Sequence, residues 1–296
     1  MTEFLQQLLN GLSLGAIYAL IALGYTMVYG VLRFINFAHS DVFMVGGFIG
    51  YYAGKYIPEG TLWGGLLILA LAMAGCAVLG MTIERLAYRP LRGAATLNVL
   101  ITAIGVSLLL EYSGQVFFGA TPRTFPAVFP SANFNAGGLV ISSNQVIVIV
   151  VTTLLMVALE LIVHRTKIGT AMRAVSLNPK AAQLVGINND VVIAFTFGLG
   201  SALAGAGGIL YALNYPSIDP LMGVMPGLKA FVAAVLGGIG NIPGAALGGL
   251  LLGIVETFVN GSQWSTYKDA IAFAVLIIIL LFRPAGLLGR FTVEKV

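Results

Sequence analysis

Arg33, Asn36, His39 and Asp41 crowd together where one long apolar stretch gives way to the next. Side chains of these types can run acid–base or metal chemistry, but only in company. The chain has 2 His and 1 Cys, and no pair of carboxylates, no Ser/His/Asp set and no metal-ligand spacing accompanies them. A catalytic centre and a metal site are therefore not expected. What the cluster offers is hydrogen bonding. Asn36 and His39 are three positions apart, so both can face one side of a helix that breaks here.

A second polar island is "AMRAVSLNPKAAQLVGINND" (171–190), with Arg173, Lys180 and Asp190. Asn178 suits an N-cap, Pro179 the first helical position and Gly186 the position just past the end. "NPKAAQLVG" thus reads as a short helix over 179–185. Before it, "TAMRAV" forms a further turn or two, with Met172 and Val175 on one side and Arg173 on the other. Ala171, Ala174, Ala181 and Ala182 keep its face low and packable. Two readings of this island stay open on residue chemistry alone. It is an interfacial helix with snorkelling Lys and Arg, or a docking element that passes a partner's motion into the rest of the chain.

The elements around these islands are apolar. The chain of 296 residues is 58% hydrophobic and 9% charged, with a mean hydropathy of +0.97. A water-soluble globule of this size cannot clothe its surface with so little charge. Nothing ionises over Glu3–Arg33, 63–83, 93–110, 191–218 or 230–255 beyond the bounding residues, and each run reaches the ~20 residues of a membrane-crossing helix. The fold class is all-α and polytopic. Candidate spans are 5–32, 42–57, 62–83, 94–118, 144–163, 191–212, 227–239, 244–260 and 268–282, eight or nine in all, with "GGIGNIPGA" (237–245) a turn or a break. The acidic n-region and long apolar run of the first span argue against a cleaved signal peptide. Cys76, inside a span, offers no disulfide.

Basic residues mark topology rather than nucleic-acid binding. Arg85, Arg89 and Arg92 follow the third span, Arg165, Lys167, Arg173 and Lys180 the fifth, and Arg283, Arg290 and Lys295 the last. Alternating spans put all three groups on one side, expected to be the cytoplasm. The loops 119–140 and 213–223 then face outward, the C-terminus lies inside, and an odd count puts the N-terminus outside. Glu111, Glu256 and Lys229 either snorkel to an interface or pair among themselves. Gly244/Gly248, Gly249/Gly253 and Ser201/Gly205 are small-xxx-small pairs suited to close helix packing. "GGIGNIPG" lacks dinucleotide-binding spacing and no GxxxxGK[ST] occurs, so this chain carries no ATP-hydrolysing motif.

Three blocks carry a resemblance. "GTAMRAVSLNPKAAQLVGIN" (169–188), "GLSLGAIYALIALGYTMVYGVLRFINFAHSDVFMVGGFIG" (11–50) and "LKAFVAAVLGGIGNIPGAALGGLLLGIVE" (228–256) resemble the branched-chain amino acid ABC transporter permeases, the LivH/LivM family. "INFAHSDVFM" follows the LivH-like pattern, although the family's commoner form has Gly-Glu where this chain has Ser40-Asp41. The resemblance implies a type II-like ABC importer permease, a single transmembrane domain over 1–296 with a cytoplasmic coupling loop at about 165–190. It implies a multi-pass protein of the bacterial inner membrane. The partners would be a LivM-like second permease, two LivG/LivF-like ATPases and a periplasmic amino-acid-binding protein. ATP and Mg would bind the ATPases, and no cofactor this chain. Arg173, Asn178, Pro179, Ala182 and Gly186 would contact or shape the ATPase junction, and Asn36, His39 and Asp41 would line or gate the solute path. Related permeases for urea, short amides or other amino acids share these loops. A self-sufficient secondary transporter would instead need a buried acidic relay, which the spans lack.

Overall fold

A computed structural model describes residues 2–289. Helices α1 (Thr2–Leu32), α2 (His39–Ala53), α3 (Leu62–Ile83) and α4 (Thr96–Phe118) come first. A π turn (Glu84–Tyr88) and a 3-10 turn (Arg89–Leu91) extend α3. Strand β1 (Arg123–Thr124) and the hairpin of β2 (Asn133–Ala136) and β3 (Leu139–Ser142) precede α5 (Ser143–Arg165), α6 (Lys167–Leu177) and α7 (Pro179–Leu184). Then come α8 (Asn189–Asn214), β4 (Ser217–Ile218), α9 (Val224–Gly237), α10 (Ile242–Asn260) and α11 (Lys268–Phe282). Strand β1 pairs antiparallel with β4, and β2 with β3.

Seven helical stretches, α1, α3 with the turns that extend it (Leu62–Leu91), α4, α5, α8, α10 and α11 with the 3-10 turn before it (Ser265–Phe282), are long and apolar enough to cross a membrane. The other two expected spans fall on α2, 15 residues, and α9, 14 residues. At 1.5 Å per residue they reach about 21–23 Å, short of the ~30 Å hydrocarbon layer. With these two, every expected span has its helix. The second starts at His39 and ends at Ala53, because Asn36 and Ala38 accept the first backbone bonds and Gly54 closes the last turn. "GGIGNIPGA" is a turn. Gly238 and Gly240 take φ of +104° and +90°, and Asn241 caps α10 by accepting from the Gly244 N–H at 3.0 Å.

The helices pack as two related sets. Helix α1 lies along α10 and α3 along α8, while α2 rests on α8 and α3 as α9 rests on α1 and α10. The unit α1–α2–α3 therefore has its counterpart in α8–α9–α10, and the two interlock through α1 on α10 and α3 on α8, with α1 also packed on α8. Each small-xxx-small pair serves one of these seams. Gly249 and Gly253 lie against Ala19 and Gly15 of α1, and Gly244 and Gly248 against Gly237 and Ala233 of α9. On the other seam, a Cβ on Gly205 would stand 2.7 Å from the Ala72 carbonyl of α3. Backbones this close gain dispersion contact that lipid cannot supply. Leu20, Ile21 and Leu23 of α1 and Ile209 and Leu210 of α8 are fully buried. In contrast, α4, α5 and α11 show solvent or lipid such residues as Leu109, Phe117, Leu154 and Leu281.

The two ends of the bundle differ in charge. One gathers the N-terminus of α1, the hairpin and the C-termini of α8 and α10, with Gln6 bonded to both the N–H and the carbonyl of Val140. The other gathers the end of α1, the turns after α3, α6–α7 and the start of α8. There Arg92 bridges Glu84 and Asp190, and Arg89 also pairs with Asp190. The turn before α10 lies beside Arg173, and the segment after Arg283 bonds back to Leu236 and Gly237 of α9. The basic groups after α3, α5 and α11 thus share one end. Arg290, Lys295 and the C-terminus itself lie outside the described residues.

Candidate functional site

At the basic end, α6 and α7 form a capped pair. Thr166 caps α6 by accepting from the Gly169 N–H at 3.1 Å, and Asn178 caps α7 by accepting from the Ala181 N–H at 3.0 Å. Pro179 stands in the first turn, and Gly186, at φ +86°, ends α7 with its N–H on the Gln183 carbonyl at 3.0 Å. Helix α6 runs to eleven residues, longer than the expected turn or two, because Gly169, Met172 and Val175 form a stripe buried against the bundle.

The site residues here divide into two groups. Arg173 turns inward, donating to the Val163 carbonyl at 2.8 Å and lying 3.2 Å from His164 Nδ1. It thereby satisfies a carbonyl left open at the end of α5. Ala182 is also buried. Asn178, Pro179 and Gly186 are exposed. Asn189 donates to the Pro179 carbonyl at 2.9 Å, and Asn188 caps α8, so α7 is tied to the helix beyond it. The outward face instead carries Leu177, Leu184 and Val185, exposed by 81%, 89% and 77%. Residue patterning points to small and polar positions and passes over these three. The signal that could have found them is three bulky apolar side chains inside a polar island.

The break after α1 is equally tied down. Arg33 sits at φ +56°, the left-handed region, which costs a residue with a Cβ roughly 1–2 kcal/mol. Asn36, His39 and Asp41 are all buried. Tyr88 donates to Asn36 Oδ1 at 2.6 Å, and Ser107 donates to Asp41. His39 does not share a partner with Asn36. Its ring meets Tyr25 edge-on at 4.8 Å and fills the space that a side chain on Gly24 would occupy. The segment is therefore tied to the turn after α3, to α4 and back to α1 through three separate contacts.

A third polar group lies near the opposite end. Lys229 of α9 bonds Glu256 of α10 at 2.6 Å and Asp269 of α11 at 2.6 Å, and Tyr18 of α1 donates to the second Glu256 oxygen at 2.8 Å. Lys229 and Glu256 are 4% and 6% exposed, too little for either to snorkel. Of the two readings left open for them, pairing holds, and it recruits Asp269. Glu256 also borders a polar cavity of about 480 Å³ shared with Asn10, Ser13, Gln145 and Asn214.

Among the described residues no cluster of three or more His, Cys, Asp or Glu could hold a metal ion.

The comparisons with known proteins bear on the whole chain. The family described as the permease component of the branched-chain amino acid transport system matches residues 7–280. The high-affinity branched-chain amino acid transport system permease protein BraD of Pseudomonas aeruginosa is 46% identical over 99% of this chain and 98% of its own. The corresponding LivH of Escherichia coli is 43% identical over 99% and 98%. A probable branched-chain amino acid transport permease protein, LivH of Methanocaldococcus jannaschii, is 30% identical over 91% and 88%. No solved structure matches.

Proposed function

Since the chain belongs to the family of branched-chain amino acid transport system permease components, we infer that it is the membrane-spanning subunit of an ATP-driven importer of branched-chain amino acids. It is a transport subunit and not an enzyme. It works with ATPase subunits and a solute-binding protein, here a LivM-like second permease, two LivG/LivF-like ATPases that hold ATP and Mg, and a periplasmic amino-acid-binding protein. It resides in the bacterial inner membrane with the α6–α7 end in the cytoplasm, as its basic residues favour.

One observation carries this reading: Leu177, Leu184 and Val185 stand exposed at the charged end, on a helix pair braced against α5 and α8. Apolar side chains in that setting belong in a partner's groove. The bracing then makes the pair a lever. Arg173 couples it to α5, Asn189 couples it to α8, and the Met172 stripe rests against the bundle. A push on α7 is transmitted to two long helices rather than absorbed by a loose loop. Asn36, His39 and Asp41 tie the break after α1 to Tyr88, to α4 and to α1, and the Tyr88 ring packs 5.4 Å from Phe197 of α8, so repositioning α8 alters the contacts that hold the break. In this reading they gate the solute path.

The test is uptake of labelled leucine into proteoliposomes that hold this chain with its partner subunits. Uptake should require ATP, the ATPases and the binding protein together. Uptake by this chain alone on a proton or sodium gradient, or uptake of urea or short amides in preference to leucine, would refute it.

A further inference from the structure

A cavity of about 620 Å³ opens at the basic end, between the break after α1, the turns after α3 and the inner side of α6–α7. Its floor is apolar, with Val31, Leu32, Val99 and Ile193, and its rim carries Arg33, Arg92, Lys180 and Asp190. The ion pairs around it do not balance. Asp190 is taken by Arg89 and Arg92, and Glu84 by Arg92. Arg33 and Lys180 have no acidic partner among the described residues. Two side-chain atoms in the same wall, Arg92 Nε and Asn189 Oδ1, are also unpaired. Arg33 is the one non-glycine described residue held at positive φ, a strain that persists where the surroundings require it.

A surplus of cations over an apolar floor fits a ligand with an anionic head and a hydrocarbon body. A zwitterionic amino acid brings no net charge to answer Arg33 and Lys180. We propose that this cavity binds the phosphate head of an anionic phospholipid, with Arg33 and Lys180 on the phosphate and the start of an acyl chain along Val31, Leu32 and Val99. Basic pockets between helices at a membrane surface hold such heads, where each cation contributes about fivefold in binding. The proposal needs only that this end lies at a membrane surface. It stands or falls separately from the ATPase partnership.

The test is native mass spectrometry of the full chain in detergent, with phosphatidylglycerol, phosphatidylcholine and glycerol phosphate added in turn. The chain should retain one phosphatidylglycerol ~25-fold better than phosphatidylcholine, as two cations at ~5-fold each imply. Arg33→Gln with Lys180→Gln should bring that ratio to within about threefold, and the charge-conserving pair Arg33→Lys with Lys180→Arg should keep it. Equal retention of the two lipids by the native chain overturns the proposal. So does a preference that survives in the folded Gln variant. Glycerol phosphate displacing the lipid at equal concentration would make this a soluble-phosphate site, and loss of the lipid on adding the ATPase partner would make it a protein contact. Either result rejects the lipid assignment.

Discussion

Replacing Lys229 by Met should destabilise the fold far more than replacing Lys229 and Glu256 together. Lys229 holds two carboxylates at 2.6 Å. Their side chains differ in exposure, 7% for Glu256 and 40% for Asp269. Once the ammonium is gone, Asp269 can hydrate where it stands. Glu256 cannot, and keeps only the Tyr18 hydroxyl at 2.8 Å. An uncompensated buried charge of this kind costs about 3–5 kcal/mol, or roughly two to four powers of ten in the folding equilibrium. In Lys229→Met with Glu256→Gln both charges leave, Tyr18 still donates to an amide carbonyl, and the cost should fall to about 1 kcal/mol, since isosteric removal of a buried pair is often near neutral. Glu256→Gln alone, which leaves Lys229 its Asp269 partner, completes the cycle, and any cost of its own adds to a coupling energy that is then at least about 2–4 kcal/mol. Equilibrium unfolding of the full chain in mixed micelles, monitored by the fluorescence of Trp63 and Trp264, measures all three variants. Additive losses, or a Lys229→Met cost under 1 kcal/mol, would show that the network does not hold α1, α9, α10 and α11 together.

Other seams give three further expected outcomes. Gly249→Leu places atoms in the α1 backbone at Ala19 and should cost at least about 1–3 kcal/mol, whereas Gly105→Ala, with nothing within 4 Å of the added carbon, should be neutral or gain up to ~1 kcal/mol; thermal unfolding compares them. Tyr88→Phe leaves the buried Asn36 carbonyl oxygen without its donor and should cost about 1–3 kcal/mol, read in the same unfolding assay. Leu184→Asp, at a site 89% exposed, should leave stability within ~0.5 kcal/mol while reducing co-purification of the ATPases and ATP-driven leucine uptake; full uptake by a stable variant would mean that α7 is not the docking face.

That the protein is a bundle of apolar helices and where its basic residues gather could be read from the order of residues, while the span count stayed at eight or nine. These properties are sums over local composition. Twenty uncharged residues leave the backbone no way to satisfy itself in lipid except as a helix, and the Arg and Lys between such runs are countable. The caps of α7 were legible for the same reason, since Asn178, Pro179 and Gly186 act on their own neighbours. Even the glycine pairs could be read as seams, though not which helix each seam would meet. Direction and partnership, in contrast, emerged only from packing. Arg173 and Ala182 lie in a polar, small-residue stretch that looks outward, yet both face the bundle, because the Met172 stripe fixes the rotation of α6 and, through the short turn at Asn178, that of α7. Asn36 and His39 share a helical spacing but go to different partners, because the chain bends at Arg33 before α2 begins. Lys229, Glu256 and Asp269 come from three helices and meet only once α9, α10 and α11 are docked. A spacing rule reaches one turn along one helix; an ion pair across the bundle depends on where whole helices come to rest.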